Sequence, residues 1–359
     1  MHMADALISP AVGGAMWAVS AGAIAYCSRR LRRDPDDRRV PLMGVLGAFL
    51  FAAQMINFTI PATGSSGHIG GGLLLSILLG PHAAFLVSAS VLVVQALFFA
   101  DGGLLALGCN IFNLGFFPAF IAYPLVYKKI AGSRPTPAKI TVGAIAAGVI
   151  GLQLGSFCVV LETLASGISS LPFSTFALLM QPIHLAIGVV EGCVTAGVAV
   201  FVYAARPEIM QSSLEAPPLG PRPLRTFVMG FLTLALVTGG FVSWFASDQP
   251  DGLEWALKMT AGTADLQKPG DGVHGALASL QEQLSFLPDY NFKKPEARKE
   301  EAARTDSTTA PRAATEASGN SERTAAGTSV AGLVGGSITL ALACAIGAVL
   351  RRASAPGPQ

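Results

Sequence analysis

The chain contains 359 residues, of which 52% are hydrophobic and only 13% are charged. This apolar content exceeds what a soluble domain could bury, and the sequence divides into apolar runs of membrane-spanning length. A net charge of +2 is too small to indicate a nucleic-acid partner or an acidic substrate. We therefore predict an all-α polytopic membrane protein that has no nucleic-acid partner.

The amino terminus carries no basic residue ahead of the first apolar segment, whereas arginines cluster between Arg29 and Arg39 behind it. Positive charge stays on the cytoplasmic side, so the terminus should face outward. A cleavable leader needs a positive first region, and this terminus carries Asp5 instead. We expect the first helix to be retained, and the Met1 amine with it, since His2 is too large for removal of the initiator methionine.

The first two residues, Met1 and His2, form a dipeptide that can chelate one metal ion. The terminal amine, the amide nitrogen of His2 and its Nδ1 atom close fused five- and six-membered rings around that ion. One further nitrogen would complete a plane, and nitrogen ligation in a square plane is favoured by Ni(II) and Cu(II). Metal binding should release the amide proton together with amine and imidazole protons.

Nine apolar segments are predicted to cross the membrane, and the basic clusters between them fall on one side when the amino terminus is outside. The third segment is short and starts with three glycines, which favours a tilted or a re-entrant helix. The charge pattern favours a crossing. The segments are 11–27, 41–59, 69–80, 83–100, 103–127, 138–162, 179–204, 226–246 and 329–350.

The composition changes divide the chain into two units. Residues 1–205 are predicted to form a seven-helix core, and a proline-rich cytoplasmic linker follows at 206–225. Residues 226–352 are predicted to form two helices around a long outward loop. Within that loop, 294–328 has hardly any large apolar residue, which predicts disorder.

His68 is the best candidate for the fourth nitrogen, because it lies in a glycine-rich stretch on the same side as the amino terminus. Glycines there allow a close approach of the backbone. The alternative is that the glycines only shape a turn and that His68 is a solvated loop residue.

Several separated motifs resemble the cobalt/nickel substrate-binding component of energy-coupling factor transporters, over about residues 1–205. Residues 249–255 resemble the PDGLE signature of the small accessory subunit of that family, fused here to the first unit. The motifs of the first unit are Met1 to Pro10, Ser66 to Gly72, Gln95 with Asp101 to Gly103, Asn110 to Asn113, His184-Leu185 and Glu191-Gly192.

The resemblance implies capture of Ni²⁺ or Co²⁺ as transported ions, with no cofactor, at the plasma membrane of a prokaryote. The implied ligands are the Met1 amine, the His2 amide and imidazole, and the His68 imidazole. The implied partners are a transmembrane scaffold subunit and two ATPase subunits, besides membrane lipid. The C-terminus would be cytoplasmic.

Small residues repeat every four positions along the first helix, at Gly14, Ala18 and Gly22. Such spacing allows helices to approach closely. The face could dock the scaffold subunit, as the resemblance implies, or pack inside the chain.

Other polar residues are candidates for supporting roles. A metal-bound histidine usually donates its second ring N–H to a partner, for which Asp5, Ser65 and Asn57 are candidates. His184 and Glu191 lie seven residues apart and share one helix face. They could be a catalytic or ligand pair, but we favour a supporting role beside polar partners. These partners are Gln95, Asn110 and Asn113.

Two alternatives are kept beside the transport hypothesis. An intramembrane enzyme would centre on His184 and Glu191, and a membrane metal sensor would signal through the long outward loop. In the second unit, Asp251, Glu254 and His274 could gather a metal, although a structural role in contact with the first unit is favoured. No phosphate-binding G-x-x-x-x-G-K-[ST] loop occurs, so we expect a transport subunit whose energy comes from partner ATPases.

Overall fold

The computed structural model describes residues 1–33, 36, 39–210, 224–263, 272–293 and 324–352. Within these ranges, the chain is mainly helical, with one small hairpin and connecting turns. The elements used below are α1 (Pro10–Arg33), α2 (Arg39–Gln54), β1 (Phe58–Ile60), β2 (Ser65–Gly67), α3 (Gly72–Leu79), α4 (Pro81–Phe99), α5 (Leu107–Ala131), α6 (Pro137–Ser166), α7 (Phe173–Ala205), α8 (Arg225–Gly240), α9 (Gly252–Ala261), α10 (Gly272–Leu284) and α11 (Ala325–Arg352).

Six helices in the described ranges are long and apolar enough to cross a membrane, namely α1, α4, α5, α6, α7 and α11. Two shorter apolar helices, α2 and α8, accompany them. The predicted all-α polytopic membrane fold is thus confirmed, and the chain is a multi-pass membrane protein.

The third predicted segment is not a full transmembrane helix. Helix α3 has only eight residues, which is about 12 Å, whereas the hydrocarbon core of a bilayer is about 30 Å thick. Gly71 before it has a φ of 72°, and Gly80 after it has a φ of 79°, so both ends need glycine. All its residues are buried, which is where broken helices are tolerated in membranes.

This short helix still carries the chain from one end of the bundle to the other. His68, before α3, lies beside the Met1 amine. His82, after α3, has its ring 5.6 Å from that of Tyr26, which lies near the end of α1. A non-helical stretch and a short helix therefore replace the expected helix over 69–80.

The preceding segment also differs from its prediction over 41–59. Helix α2 ends at Gln54, and β1 pairs with β2 in an antiparallel hairpin in which Thr59 lies opposite Ser66. The hairpin places residues 65–67 directly before His68, at the end of the bundle that holds the amino terminus.

Helices α6 and α7 pack closely through glycines. A Cβ atom on Gly192 would lie 2.5 Å from Ile145 Cα, and one on Gly148 would lie 3.0 Å from the Gly192 backbone. Small residues at a crossing let two membrane helices meet along their backbones. His184 and Glu191 lie on α7 near these glycines and are buried in the interior.

The helices α8 and α11 pack against α2, and α9 and α10 lie at the end of the bundle where the amino terminus is. Helix α11 starts at Ala325, four residues before its predicted start, because Thr324 Oγ1 accepts a hydrogen bond from Gly327 N at 3.1 Å and caps the helix. Residues 211–223 of the predicted linker and 294–323 of the predicted disordered loop lie outside the described residues.

Candidate metal centre

The first nine residues form a buried loop rather than an exposed tail. Met3 is fully buried, and its backbone N–H donates to Asn110 Oδ1 at 2.8 Å, while its carbonyl accepts from Asn110 Nδ2 at 3.2 Å. Asp5 Oδ1 accepts from the backbone of Ala106 at 3.0 Å. A Cβ atom on Gly103 would lie 1.8 Å from Asp5 Oδ1, so only glycine fits there. Asp5 and Asn110 thus fix the backbone of the loop.

This loop places the Met1 amine beside His68. The amine nitrogen lies 3.2 Å from His68 Nε2, and the rings of His2 and His68 stack with centroids 5.1 Å apart and planes 12° from parallel. The His68 Nδ1 atom is 3.2 Å from the carbonyl of Ile69, which assigns the ring proton to Nδ1 and leaves the Nε2 lone pair free.

The spacing of these nitrogens is close to that of a planar site. Adjacent donors with metal–nitrogen bonds of about 2.0 Å lie about 2.8 Å apart in a square plane. The 3.2 Å between the Met1 amine and His68 Nε2 is therefore within a small adjustment of that geometry. The amine, the two imidazoles and the His2 amide are near one another at one point of the fold.

Two carboxylates contact the same nitrogens. Asp251 Oδ2 accepts from the Met1 amine at 2.6 Å, and Asp101 Oδ1 lies 3.2 Å from His2 Nδ1. The second oxygen of Asp101 accepts a short hydrogen bond from the Tyr290 hydroxyl. Two candidate ligand nitrogens are therefore occupied by acidic side chains in this structure.

The electrostatics keep both imidazoles neutral. Burial lowers the pKa of His68 to about 3, and the Met1 amine and His2 add to that effect. Burial also lowers the pKa of His2, although Asp101 opposes the shift. Neutral imidazoles can bind a metal without first losing a proton. Proton release on binding would then come from the amine and the amide, not from the imidazoles as expected above.

The carboxylates stay charged although they are largely buried. Burial alone would raise the pKa of Asp251, but the Met1 amine holds it well below its usual range. The pKa of Asp101 is lowered in the same way by His2 and the Tyr290 hydroxyl, against the effect of burial. Both carboxylates, which are partly exposed, thus face the proposed ligand nitrogens as anions.

Gln95 lies behind His2. His2 Nε2 and Gln95 Oε1 are both buried without a hydrogen bond of standard geometry, and the attraction between these two side chains favours the protonated imidazole. Gln95 Nε2 in turn donates to Gln54 Oε1 at 2.9 Å. A proton on His2 Nε2 would point toward Gln95 and leave Nδ1 free for a metal. Metal-bound histidines usually donate their other ring N–H to such a partner.

His184 and Glu191 share a helix face as predicted but bind different partners. The Glu191 carboxylate accepts from the backbone N–H groups of Gly70 at 2.9 Å and Gly71 at 3.0 Å. His184 Nδ1 lies 2.8 Å from the Met180 carbonyl. The two side chains thus have separate partners, and Glu191 fixes the glycine segment that follows His68 by hydrogen bonds.

Of the other predicted supporting residues, Asn113 Nδ2 donates to Glu162 at 2.7 Å, within the bundle. Ser65 Oγ donates to the carbonyls of Ser66 at 3.1 Å and of Pro250 at 3.4 Å, and the Asn57 carbonyl accepts from the Ser247 backbone at 2.8 Å. Ser65 and Asn57 therefore contact the second unit. Glu162, which is buried, had no signal in the sequence beyond an acidic residue in an apolar run.

The turn that starts α9 docks on the hairpin and on the amine at once. Asp251 Oδ1 accepts from Leu253 N at 2.8 Å and Glu254 N at 2.9 Å, while Glu254 Oε2 accepts from Asp251 N at 3.1 Å. This is a capping box. One oxygen of Asp251 caps the helix, and the other binds the Met1 amine.

Neighbouring residues of this turn complete the docking. The Ser66 N–H donates to the Pro250 carbonyl at 2.8 Å, and Trp255 Nε1 donates to the Thr63 carbonyl at 2.9 Å. On α10, His274 Nε2 lies 2.9 Å from the Ile8 carbonyl. The carboxylates of Asp251 and Glu254 and the imidazole of His274 thus have separate structural partners. Throughout the described ranges, no three His, Cys, Asp or Glu side chains cluster with metal-binding geometry.

The candidate docking face of α1 points away from the chain. Gly14, Ala18 and Gly22 are exposed, and a Cβ atom on either glycine would meet nothing within 4 Å. Internal packing uses another face of α1, where Ser20 Oγ donates to the Gly108 carbonyl at 2.6 Å.

Comparison with known proteins gives a match to two family models. Residues 2–209 match the cobalt uptake substrate-specific transmembrane region, and residues 225–352 match the PDGLE domain. The chain is 29% identical to the fused nickel transport protein NikMN of Rhodobacter capsulatus, over 81% of this chain and 88% of that protein. It is 32% identical to the cobalt transport protein CbiM of Sorangium cellulosum, over 62% of this chain and 99% of that protein.

A solved structure agrees with these matches. The crystal structure of a truncated transition metal transporter superimposes with a TM-score of 0.51 at 28% identity, covering 57% of this chain and 99% of that one. The family model spans more than half of the chain, and its relatives are transport proteins rather than enzymes. The chain therefore belongs to the family of cobalt and nickel substrate-binding transport components, with a PDGLE-type accessory unit fused to it.

Proposed function

We propose that the chain captures Ni²⁺ or Co²⁺ from outside the cell in a chelate of four nitrogens at its amino terminus. The ligands are the Met1 amine, the His2 amide and imidazole, and the His68 imidazole. The observation that supports this most directly is the 3.2 Å between the Met1 amine and His68 Nε2, with the His2 ring stacked on that of His68. Nitrogen donors suit late divalent transition metals.

The proposed orientation has the amino terminus outside and the C-terminus in the cytoplasm of a prokaryotic cell. The basic residues at the end of α1 and at the end of α11 support it, because such residues are retained inside. The metal site would then meet the outer solution.

Transport also needs partners that supply energy. We assign the coupling to a transmembrane scaffold subunit and two ATPase subunits, since the chain carries no phosphate-binding loop of its own. The exposed face of α1 with Gly14, Ala18 and Gly22 is the proposed contact with the scaffold, because small residues allow close helix approach.

The fused unit is proposed to control loading and release of the metal. Its Asp251 pairs with the Met1 amine, and its Tyr290 holds the carboxylate that contacts His2. A metal can bind only when these contacts loosen. The carboxylates would return to the nitrogens when the metal leaves.

The transport function is tested with His2→Ala in cells that express the full chain and its partner subunits. Uptake of nickel or cobalt should fall to background, because the His2 imidazole and the six-membered chelate ring that it closes are lost. His82→Ala is the matched control, since that imidazole contacts Tyr26 and Phe120 at the far end of the bundle. Unchanged uptake in His2→Ala would contradict the proposal.

A further inference from the structure

His184 has a ring nitrogen without a partner in the interior of the protein. The side chain is fully buried on α7, and its Nδ1 atom contacts the Met180 carbonyl at 2.8 Å. The proton therefore belongs on Nδ1, and Nε2 carries the lone pair. Nε2 has no hydrogen-bond partner among the described residues. A buried acceptor without a partner is unfavourable, and such atoms are rare in folded proteins.

The same imidazole borders the cavity beneath the proposed chelate. This cavity has a volume of about 10 Å³, and its wall includes Met1, His68, His184 and Asp251. That volume is close to the space that one water molecule needs. The remaining wall residues are glycines and aliphatic residues, so only a few residues can supply ligand atoms to a metal in the cavity.

The second unit closes this cavity above His184. A Cβ atom on Gly252 would lie 3.1 Å from His184 Cε1 and 3.1 Å from Ile187 Cδ1. A side chain at this position would press on the imidazole. Gly252 thus lets the turn that starts α9 approach His184 without displacing the ring.

Two neutral imidazoles therefore face one small space. His68 directs Nε2 toward the Met1 amine, and His184 has its Nε2 lone pair free. Imidazole nitrogen binds late first-row divalent metals, whereas Mg²⁺ and Ca²⁺ prefer oxygen. The free lone pair has a chemical use if a transition metal reaches the cavity.

We infer that His184 and His68 form a second, inner metal site that receives Ni²⁺ or Co²⁺ when it leaves the amino-terminal chelate. This inference rests on the proposed function. His68 is shared between the two positions, and His184 replaces the nitrogens of Met1 and His2. The Met1 amine and the His2 amide take up protons as the metal leaves them. The amine then returns to its ion pair with Asp251, which is the arrangement in this structure.

The inner site is tested on purified full chain carrying an Ala-Pro dipeptide before Met1, which moves the amine out of reach and, because proline has no amide N–H, forms no new amino-terminal chelate. Equilibrium dialysis with Co²⁺ alone should find one weaker site in this extended chain. His184→Gln and His184→Leu in the extended chain should each lower that affinity at least about tenfold, as loss of an imidazole ligand does. His82→Gln, at the other end of the bundle, should leave it unchanged.

Thermal unfolding separates a ligand from a structural histidine. His184→Leu removes an acceptor without a partner, so its Tm should equal or exceed that of the parent chain. Equal Co²⁺ affinity with and without His184, or no Co²⁺ bound to the extended chain, would overturn the inner site. If the amino-terminal chelate itself did not exist, the result would be different, because native and extended chains would then bind Co²⁺ with the same affinity.

Discussion

Asp251 uses its two carboxylate oxygens for two different tasks, one as the cap of α9 and one as the partner of the Met1 amine. A charge-assisted bond of this kind must break before a metal can bind the amine. In the proposed function, the residue therefore couples the position of the second unit to access at the proposed metal site.

Asp251→Asn should speed the binding of Ni²⁺ to purified full chain. The amide oxygen can still cap α9, whereas the charge that holds the amine is lost. A charge-assisted hydrogen bond of about 1.5 kcal/mol corresponds to roughly a tenfold faster association. Stopped-flow measurement checks this, and Glu254→Gln is the control because Glu254 contacts the Asp251 backbone and not the amine. Equal association rates in Asp251→Asn and the parent chain would contradict the account.

His68 gives the metal-free chain a defined pH dependence. Its pKa falls from 6.5 to about 3 on folding, so the unfolded chain binds more protons between these values. Its contribution should therefore lower the free energy of unfolding as pH falls below about 6.5, by roughly 3 kcal/mol at pH 4. Unfolding of the chain and of His68→Asn from pH 7 to pH 4 tests this. The His68→Asn variant should lose less free energy of unfolding than the parent chain as pH falls. Equal losses in the two chains would refute this effect of His68.

The proposed amino-terminal chelate follows from the sequence at the residue scale, because its geometry is set by covalent bonds within two residues. Asp101 and Asp251 could not be assigned as its partners from the sequence. Asp251 is 250 positions from Met1, and only the docking of α9 on the hairpin brings the two together. Tyr290 follows the same pattern, since it lies after α10 in the second unit and reaches Asp101 of the first unit.

Among the elements, α3 shows why an apolar run does not define a helix length. Residues 69–80 have the apolarity of a crossing, yet the helix covers only Gly72–Leu79. The residues before it are not helical, and Glu191 on α7 binds the backbone N–H groups of Gly70 and Gly71. The glycines in the sequence indicated an irregular start, but the carboxylate that holds it comes from a distant helix.

The second unit should be needed for transport. Removing residues 226–352 takes away Asp251 and Tyr290 and uncovers the hairpin at Ser66, to which Pro250 is bonded. We expect metal uptake in cells to fall at least about tenfold, as when several central contacts of an interface are lost. Membrane levels of the shortened chain serve as the control. Full uptake without this unit would contradict its proposed role.

On the scale of the whole molecule, the fused unit encloses a site that the first unit builds. Helices α8 and α11 pack on α2, while α9 and α10 cover the amino-terminal loop through Asp251, His274 and Gln281. The all-α membrane fold followed from composition and apolar periodicity. The covering of the site did not, because it depends on contacts between two units that lie far apart in the chain.

The central claim is that the first residue of the chain is a metal ligand through its amine. Isothermal titration of purified full chain with Ni²⁺ tests it when an Ala-Pro dipeptide, whose proline has no amide N–H for a new chelate, is added before Met1, with the same dipeptide added after Gln359 as the control. The account predicts that the amino-terminal addition weakens Ni²⁺ binding at least about a hundredfold, because the amine moves out of its chelate ring. Equal affinity in the two extended chains would contradict it.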